Sequence, residues 1–148
     1  MKRGLDSNVL VYAHIPALEG HGAVRAFLLE QLAEKNVTLV ITPSILHEFV
    51  HVVTDARRFD PPVTMPEALA VARLYLGRSN AECVATDAEI LLKALDLVER
   101  NSLGRNRLAD TLFAATLLHH GVRSLITCNP GDFRVFAGLE IIDPRQAK

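Results

Sequence analysis

The sequence has only two cysteines, Cys83 and Cys128, set far apart and without the paired spacing of a zinc site. That excludes a disulfide-stapled secreted scaffold and suits a reducing cytoplasm, where both would serve as small buried hydrophobes. Charge of one sign is not in surplus either: 16 Lys and Arg against 17 Asp and Glu leave a formal net charge of −1. Proteins that grip long duplex DNA by neutralising phosphates are usually more basic. The balance disfavours a general duplex binder but leaves room for a local basic patch. No apolar run is long enough to cross a bilayer. The basic start, Met1-Lys2-Arg3, leads into a short run broken by Asp6 and Asn8, so neither a secretion signal nor a membrane span is expected. Low-complexity tracts and internal repeats are missing too.

What is present reads as one globular domain over residues 1–148, with 49% hydrophobic and 22% charged residues. Strand-like and helix-like stretches alternate. Lys2 to Asp6 reads as a first strand, and Gly20 to Asn36 as an amphipathic helix carrying Val24, Phe27, Leu28 and Leu32. "VTLVIT" (37–42) is a continuous β-branched run of the kind buried in parallel sheets. Thr42 then caps, and Pro43 opens, a helix expected to reach Arg58. "RRFDPPVTMP" breaks regular structure, and Pro66 opens the next helix. "ECVAT" is a third strand. In "TDAE", Thr86 as cap and Glu89 three residues on form a capping box for a helix that buries Leu91, Ala94, Leu95 and Val98. A helix from Arg107 to His120 stops at Gly121. "SLITCN" and "LEIID" supply the fourth and fifth strands. The alternation predicts an α/β fold: a three-layer α/β/α domain with a central, mostly parallel sheet of four to five strands flanked by helices.

In such sheets ligands sit beyond the carboxyl ends of the strands. Asp6 closes the first strand, Glu48 lies two turns into the helix after the second, and Asp110 lies in the first turn of a late helix. Asn129 and Asp132 follow the fourth strand. Each has a local reading. Asp6 caps a helix starting near Asn8, Asp110 suits a helix dipole, and Asn129 and Asp132 are turn residues. Glu48 borders the apolar face of Ile45, Leu46, Phe49, Val50 and Val53, outside the capping-box position, and is either a satisfied structural acid or a ligand. Taken together, these polar positions map to one sheet edge. Clustered carboxylates repel and raise each other's pKa unless a cation intervenes, and oxygen donors suit Mg²⁺ or Mn²⁺. His47 and His51 share a helix face but have no third zinc ligand, so solvated histidines are expected there.

"LDSNVLVYA", "TPSILHEFV", "NRLADTLFAATLLHHGV" and "LITCNPGDF" occur in this order over essentially the whole chain. Together they resemble the PIN-domain ribonucleases, in particular the VapC-type toxins of toxin–antitoxin pairs. The resemblance implies an endoribonuclease dependent on Mg²⁺ or Mn²⁺, with Asp6, Glu48, Asp110 and Asp132 as catalytic acids and Asp6 and Asp110 on the metal. It implies support from Ser7, Asn8, Thr127 and Asn129. Many members carry an acid where this chain has Pro130, so the fourth oxygen comes from Asp132, Asn129 or a water. The resemblance further implies a tRNA or rRNA substrate, RNA phosphate near Arg105 and Arg107 (or Arg57 and Arg58), a homodimer, a cognate antitoxin that blocks the site, and a cytoplasmic location. A non-catalytic binding module of the same fold would lack one of the core acids. A housekeeping RNA-processing nuclease is the other alternative, and an adjacent antitoxin gene would separate it from a toxin.

Overall fold

The computed structural model describes residues 1–147. β1 (Lys2–Leu5) leads into α1 (Ser7–His14) and α2 (His21–Ala33); β2 (Thr38–Ile41) leads into α3 (Pro43–Val53) and α4 (Met65–Gly77). β3 (Ala81–Cys83) is followed by α5 (Ala88–Arg100), a 3-10 turn at Arg105–Arg107 and α6 (Leu108–His119). Then come β4 (Ser124–Ile126), a second 3-10 turn at Pro130–Asp132 and β5 (Glu140–Ile142). The five strands form one sheet in the order β3-β2-β1-β4-β5, and every pairing is parallel.

Parallel neighbours need crossovers, and crossovers between parallel strands are right-handed as a rule. The chain travels one way across the sheet from β1 to β3 and the other way from β4 to β5. That reversal places α1–α4 on one face and α5–α6 on the other, in keeping with the contacts of α1 with α2 and α3, α3 with α4, and α5 with α6. The expected three-layer α/β/α arrangement results. Strand residues Leu5, Leu39, Val40, Ile41, Leu125 and Ile126 are fully buried, as a sheet covered on both faces requires. Each such side chain contributes about 1.5–3 kcal/mol of burial energy. Gly4 is set by packing: a Cβ there would lie 2.5 Å from Cδ1 of the fully buried Leu117 on α6.

Four local expectations need correction. Thr42 caps α3 through its hydroxyl, as read, but the helix ends at Val53 rather than Arg58. Asp55 stops it, its carboxylate accepting from the Arg57 N–H at 2.9 Å to start a turn. The cap of α5 is Asp87, whose Oδ1 accepts from Ile90 N at 2.9 Å, while the Thr86 hydroxyl pairs with Thr116 Oγ1 at 2.8 Å. The periodicity of α5 was expected to bury Leu91, Ala94, Leu95 and Val98. Ile90 and Ala94 do pack with Ala115, but Leu91 and Leu95 are 45% and 50% exposed. The apolar stripe is wider than the surface α6 offers it. Cys128 is buried, whereas Cys83 is exposed on the edge strand. His47 and His51 are exposed, their rings stacked 6.5 Å apart on the outer side of α3.

Candidate active site

Strand order reverses between β1 and β4, and that is where an open α/β sheet leaves a crevice at its carboxyl end. The pairing Leu5↔Ile126 sets Asp6 beside Thr127 across the ends of these two central strands. Asp6 N donates to Ile126 O at 3.1 Å, extending the ladder by one residue. Asp6 then turns the chain into α1 as its N-cap, in extended geometry, with Oδ1 accepting from Ser7 N at 2.8 Å. The capping reading and the site reading of Asp6 therefore describe the same side chain.

The Asp6 carboxylate is held on both oxygens. Thr127 Oγ1 donates to Oδ2 at 2.8 Å and Asn8 Nδ2 at 3.1 Å, while the Ser7 hydroxyl stands 3.5 Å from Oδ1. A carboxylate has about four acceptor sites. Oδ2 accepts from two side-chain donors, whereas Oδ1 accepts one short bond from Ser7 N and one long bond from the Ser7 hydroxyl. Asn8 also accepts from Cys128 N through Oδ1 at 3.0 Å, and Asn129 N donates to Thr127 Oγ1 at 3.0 Å. Ser7, Asn8 and Thr127 thus bear directly on Asp6. Asn129 joins the network through its backbone, and its side chain lines the cleft.

That cleft has a volume of about 340 Å³ and is lined by Asp6, Glu48, Asp110, Asn129 and Asp132 together. The four acids come from the end of β1, the middle of α3, the first turn of α6 and the turn after β4. Asp6 is buried, Asp110 and Asp132 are half-buried, and Glu48 is exposed. Burial is the main reason the Asp6 carboxyl is pushed up to about 6; Thr127 and Ser7 pull it down, while Asp110 and Glu48 push it further up. Asp110 is also raised to about 6, by burial first and then by Asp132, with Arg107 opposing and Glu48 adding to the rise. The acids sense one another, as groups sharing one site do.

Among the described residues no three acidic, histidine or cysteine side chains close around one point. The donor set still fits a hard divalent cation. It is all oxygen and carries excess negative charge, and Mg²⁺ binds through one or two carboxylates while keeping several waters.

Arg107 sits beside the acids rather than free at the surface. Its guanidinium donates to the Asp132 backbone carbonyl, and its Nε is buried without a partner. Arg105 is exposed on the preceding 3-10 turn and does not line the cleft. Residues that the sequence did not mark also take part. Arg145 Nη2 donates to Cys128 O at 2.6 Å while pairing with Asp143, which fixes the start of the loop carrying Asn129 and Asp132. Tyr12, Leu18 and Phe59 line the cleft; so does Arg58, which the sequence had offered with Arg57 as an arginine near RNA phosphate. The one signal for Phe59 is the basic–aromatic run Arg57-Arg58-Phe59, which the neighbouring prolines masked.

Comparison with known proteins is consistent with this geometry. The PIN domain profile matches residues 5–139. Ribonuclease VapC43 of Mycobacterium tuberculosis is 42% identical over 116 residues, covering 78% of each chain. Ribonuclease VapC24 of the same species is 28% identical over 140 residues, covering 95% of this chain and 94% of its own. The structure of VapBC2 from Rickettsia felis, bound to a promoter DNA fragment, superposes with a TM-score of 0.66 at 21% identity, over 96% of this chain and 98% of that one. Mycobacterium tuberculosis VapC20, a toxin that cleaves the sarcin–ricin loop, gives 0.65 at 14% identity, over 83% and 86%. At these identities the two structures speak to the fold.

Proposed function

The chain belongs to the PIN-domain family, among its VapC ribonucleases, and from that premise we propose that it is a Mg²⁺- or Mn²⁺-dependent endoribonuclease, the toxin of a toxin–antitoxin pair. The observation that carries this reading is the convergence of Asp6, Glu48, Asp110 and Asp132, distant in sequence, on one cleft at the strand-order reversal. A non-catalytic module has no use for acids held at such electrostatic cost.

Asp6 and Asp110 would hold the cation, Asp6 through Oδ1, where a cation would displace only the long contact with the Ser7 hydroxyl. When bound, the cation supplies Lewis-acid stabilisation of phosphate charge and lowers the pKa of a water. Thr127, Asn8 and Ser7 fix the Asp6 carboxylate, so it does not reorganise as charge develops on the substrate. Glu48, exposed at the rim, takes the proton of the attacking water, and Asp132 completes the acidic wall. The product is a cut phosphodiester in tRNA or rRNA. The proposal includes a homodimer and a cognate antitoxin that covers the cleft; an antitoxin partner is supported by structural neighbours such as the toxin–antitoxin complex from Klebsiella pneumoniae. No helix among the described residues is long and apolar enough to cross a membrane.

The test is cleavage of a mixed tRNA and rRNA pool with Mg²⁺, with Mn²⁺ and with chelator, alongside Asp6→Asn. Metal-dependent cutting lost in Asp6→Asn supports the proposal. A wild-type protein that neither cuts RNA nor binds either cation refutes it.

A further inference from the structure

Half of the cleft is built of groups that the acid chemistry does not use. Beside the carboxylates it is lined by Val11, Tyr12, Leu18, Val52 and Phe59, with Arg58 as a cation among them. Tyr12 and Phe59 are only half-buried in a chain with two Tyr and six Phe, so each leaves aromatic surface available at the site.

Both walls are held in place. The Tyr12 ring lies 5.8 Å from the Arg145 guanidinium, and the Tyr12 carbonyl is paired with His21 Nδ1 at 2.7 Å. The segment carrying Arg58 and Phe59 is an ordered turn. Asp55 O accepts from Arg58 N at 3.0 Å and Phe59 N at 3.1 Å, and Val63 N returns to Val53 O at 2.9 Å. The Asp55 carboxylate also stands 3.7 Å from Arg58 Nε, a loose pairing that leaves the guanidinium exposed and able to take a second anion.

Four carboxylates repel a polyanion, and the chain as a whole has a net charge of −1. Affinity for RNA at this cleft therefore has to come from contacts that are not purely ionic. Aromatic surface beside a guanidinium is how proteins hold unpaired nucleotides: bases stack on rings, and the cation meets the adjoining phosphate. We propose that Tyr12 and Phe59 form a subsite for one unpaired nucleobase next to the scissile phosphate, with Arg58 contacting a flanking phosphate. This rests on the endoribonuclease reading and specifies the feature of the RNA that the site selects, a splayed-out base rather than a duplex step.

The experiment uses the full chain and fluorescein-labelled hexanucleotides: oligo(A), oligo(U), oligo(C) and an abasic ribose-phosphate hexamer. Binding is read by anisotropy in chelator, and cleavage of the tRNA pool in Mn²⁺ gives KM and kcat. Tyr12→Leu and Phe59→Leu keep apolar bulk in the walls, and their urea midpoints report folding. Arg73→Gln, exposed on α4 and away from the cleft, is the control.

The expected result is that the wild type binds base-bearing hexamers about ten-fold more tightly than the abasic one, as loss of a single stacked base implies. Tyr12→Leu and Phe59→Leu erase that difference and raise KM more than they lower kcat. Arg58→Gln weakens base-bearing and abasic hexamers alike and reduces the slope of affinity against salt by about one. Equal binding of abasic and base-bearing hexamers by the wild type overturns the proposal, as do folded Tyr12→Leu and Phe59→Leu proteins with wild-type affinity and KM. Base-dependent binding without cleavage in any metal sinks the nuclease reading and leaves the subsite standing. Cleavage with KM unchanged in every variant does the reverse.

Discussion

Replacing Asp6 by Asn makes the cation-free protein more stable at neutral pH, although it removes the central acid of the site. Asp6 ionises in the folded state at about 6, mainly because it is buried. An unfolded aspartate ionises at about 3.9. Between these values the folded state holds a proton that the unfolded state has released, so stability falls as pH rises. The contribution is fully present below about pH 3.9 and is lost as pH passes through about 6. A gap of roughly two units corresponds to about 3 kcal/mol. Asn carries no charge and so avoids this loss. It does place one amide where Thr127 and Asn8 now both donate to Asp6 Oδ2, which costs about 1 kcal/mol for a poorly matched hydrogen bond. The net expectation is that Asp6→Asn is about 2 kcal/mol more stable than wild type at pH 7.5 and no more stable near pH 4. Urea unfolding of both proteins in chelator at the two pH values measures it. Taking the difference between them cancels Asp55 and Asp143, whose carboxyls are held low by Arg57 and Arg145 and lose stability in acid. A variant less stable than wild type at pH 7.5, or a difference that does not change with pH, refutes the view that Asp6 is held ionised at a cost.

Adding Mn²⁺ at about 100 times its Kd stabilises the wild type by about 2.7 kcal/mol; a melting temperature unmoved by Mn²⁺, or moved equally in Asp6→Asn, contradicts a cation on that carboxylate. Thr127→Val deletes the donor to Asp6 Oδ2 and the acceptor of Asn129 N, both in a fully buried position, and costs about 1–3 kcal/mol in urea unfolding. Gly4→Ala places a Cβ 2.5 Å from Cδ1 of the fully buried Leu117 and destabilises by about 1–3 kcal/mol; a neutral result would mean that the Leu117 side chain or α6 shifts without penalty. Leu92→Gln, at a side chain 63% exposed on α5, changes monomer stability by less than about 0.5 kcal/mol, and a larger loss that depends on protein concentration would show that this face is covered in a dimer.

The alternation of strands and helices was legible because short buried strands and long amphipathic helices have different periods. The convergence of the acids was legible because strand ends in a parallel sheet share an edge. Asp6 offered two readings, cap and ligand site, and the structure makes one side chain both the cap of α1 and a wall of the acidic cleft, which composition could not anticipate. The exposure of Leu91 and Leu95 was not legible: helical spacing marks an apolar stripe but does not say how much of it a neighbouring helix covers. Thr86 and Asp87 are both competent caps, and the choice fell to Asp87 once Thr116, 30 residues away in sequence, engaged the Thr86 hydroxyl. Phe59 was hidden for a similar reason. The prolines after it marked a break in regular structure, and a break says nothing about where its side chains end up.

The pairing of β1 with β4 also has a consequence in time. Asp6 and Thr127 are separated by 121 residues. At a synthesis rate of about 5–20 residues per second, roughly 6–24 s pass between the two leaving the peptidyl-transferase centre. Throughout that interval Asp6 has neither the Ile126 carbonyl for its N–H nor the Thr127 hydroxyl for its carboxylate. A growing chain, or one truncated anywhere before β4, carries Asp6, Glu48 and at most Asp110, with no crevice to hold them together. If this chain cuts RNA, it stays harmless to the ribosome that is making it until β4 has been made and has paired with β1.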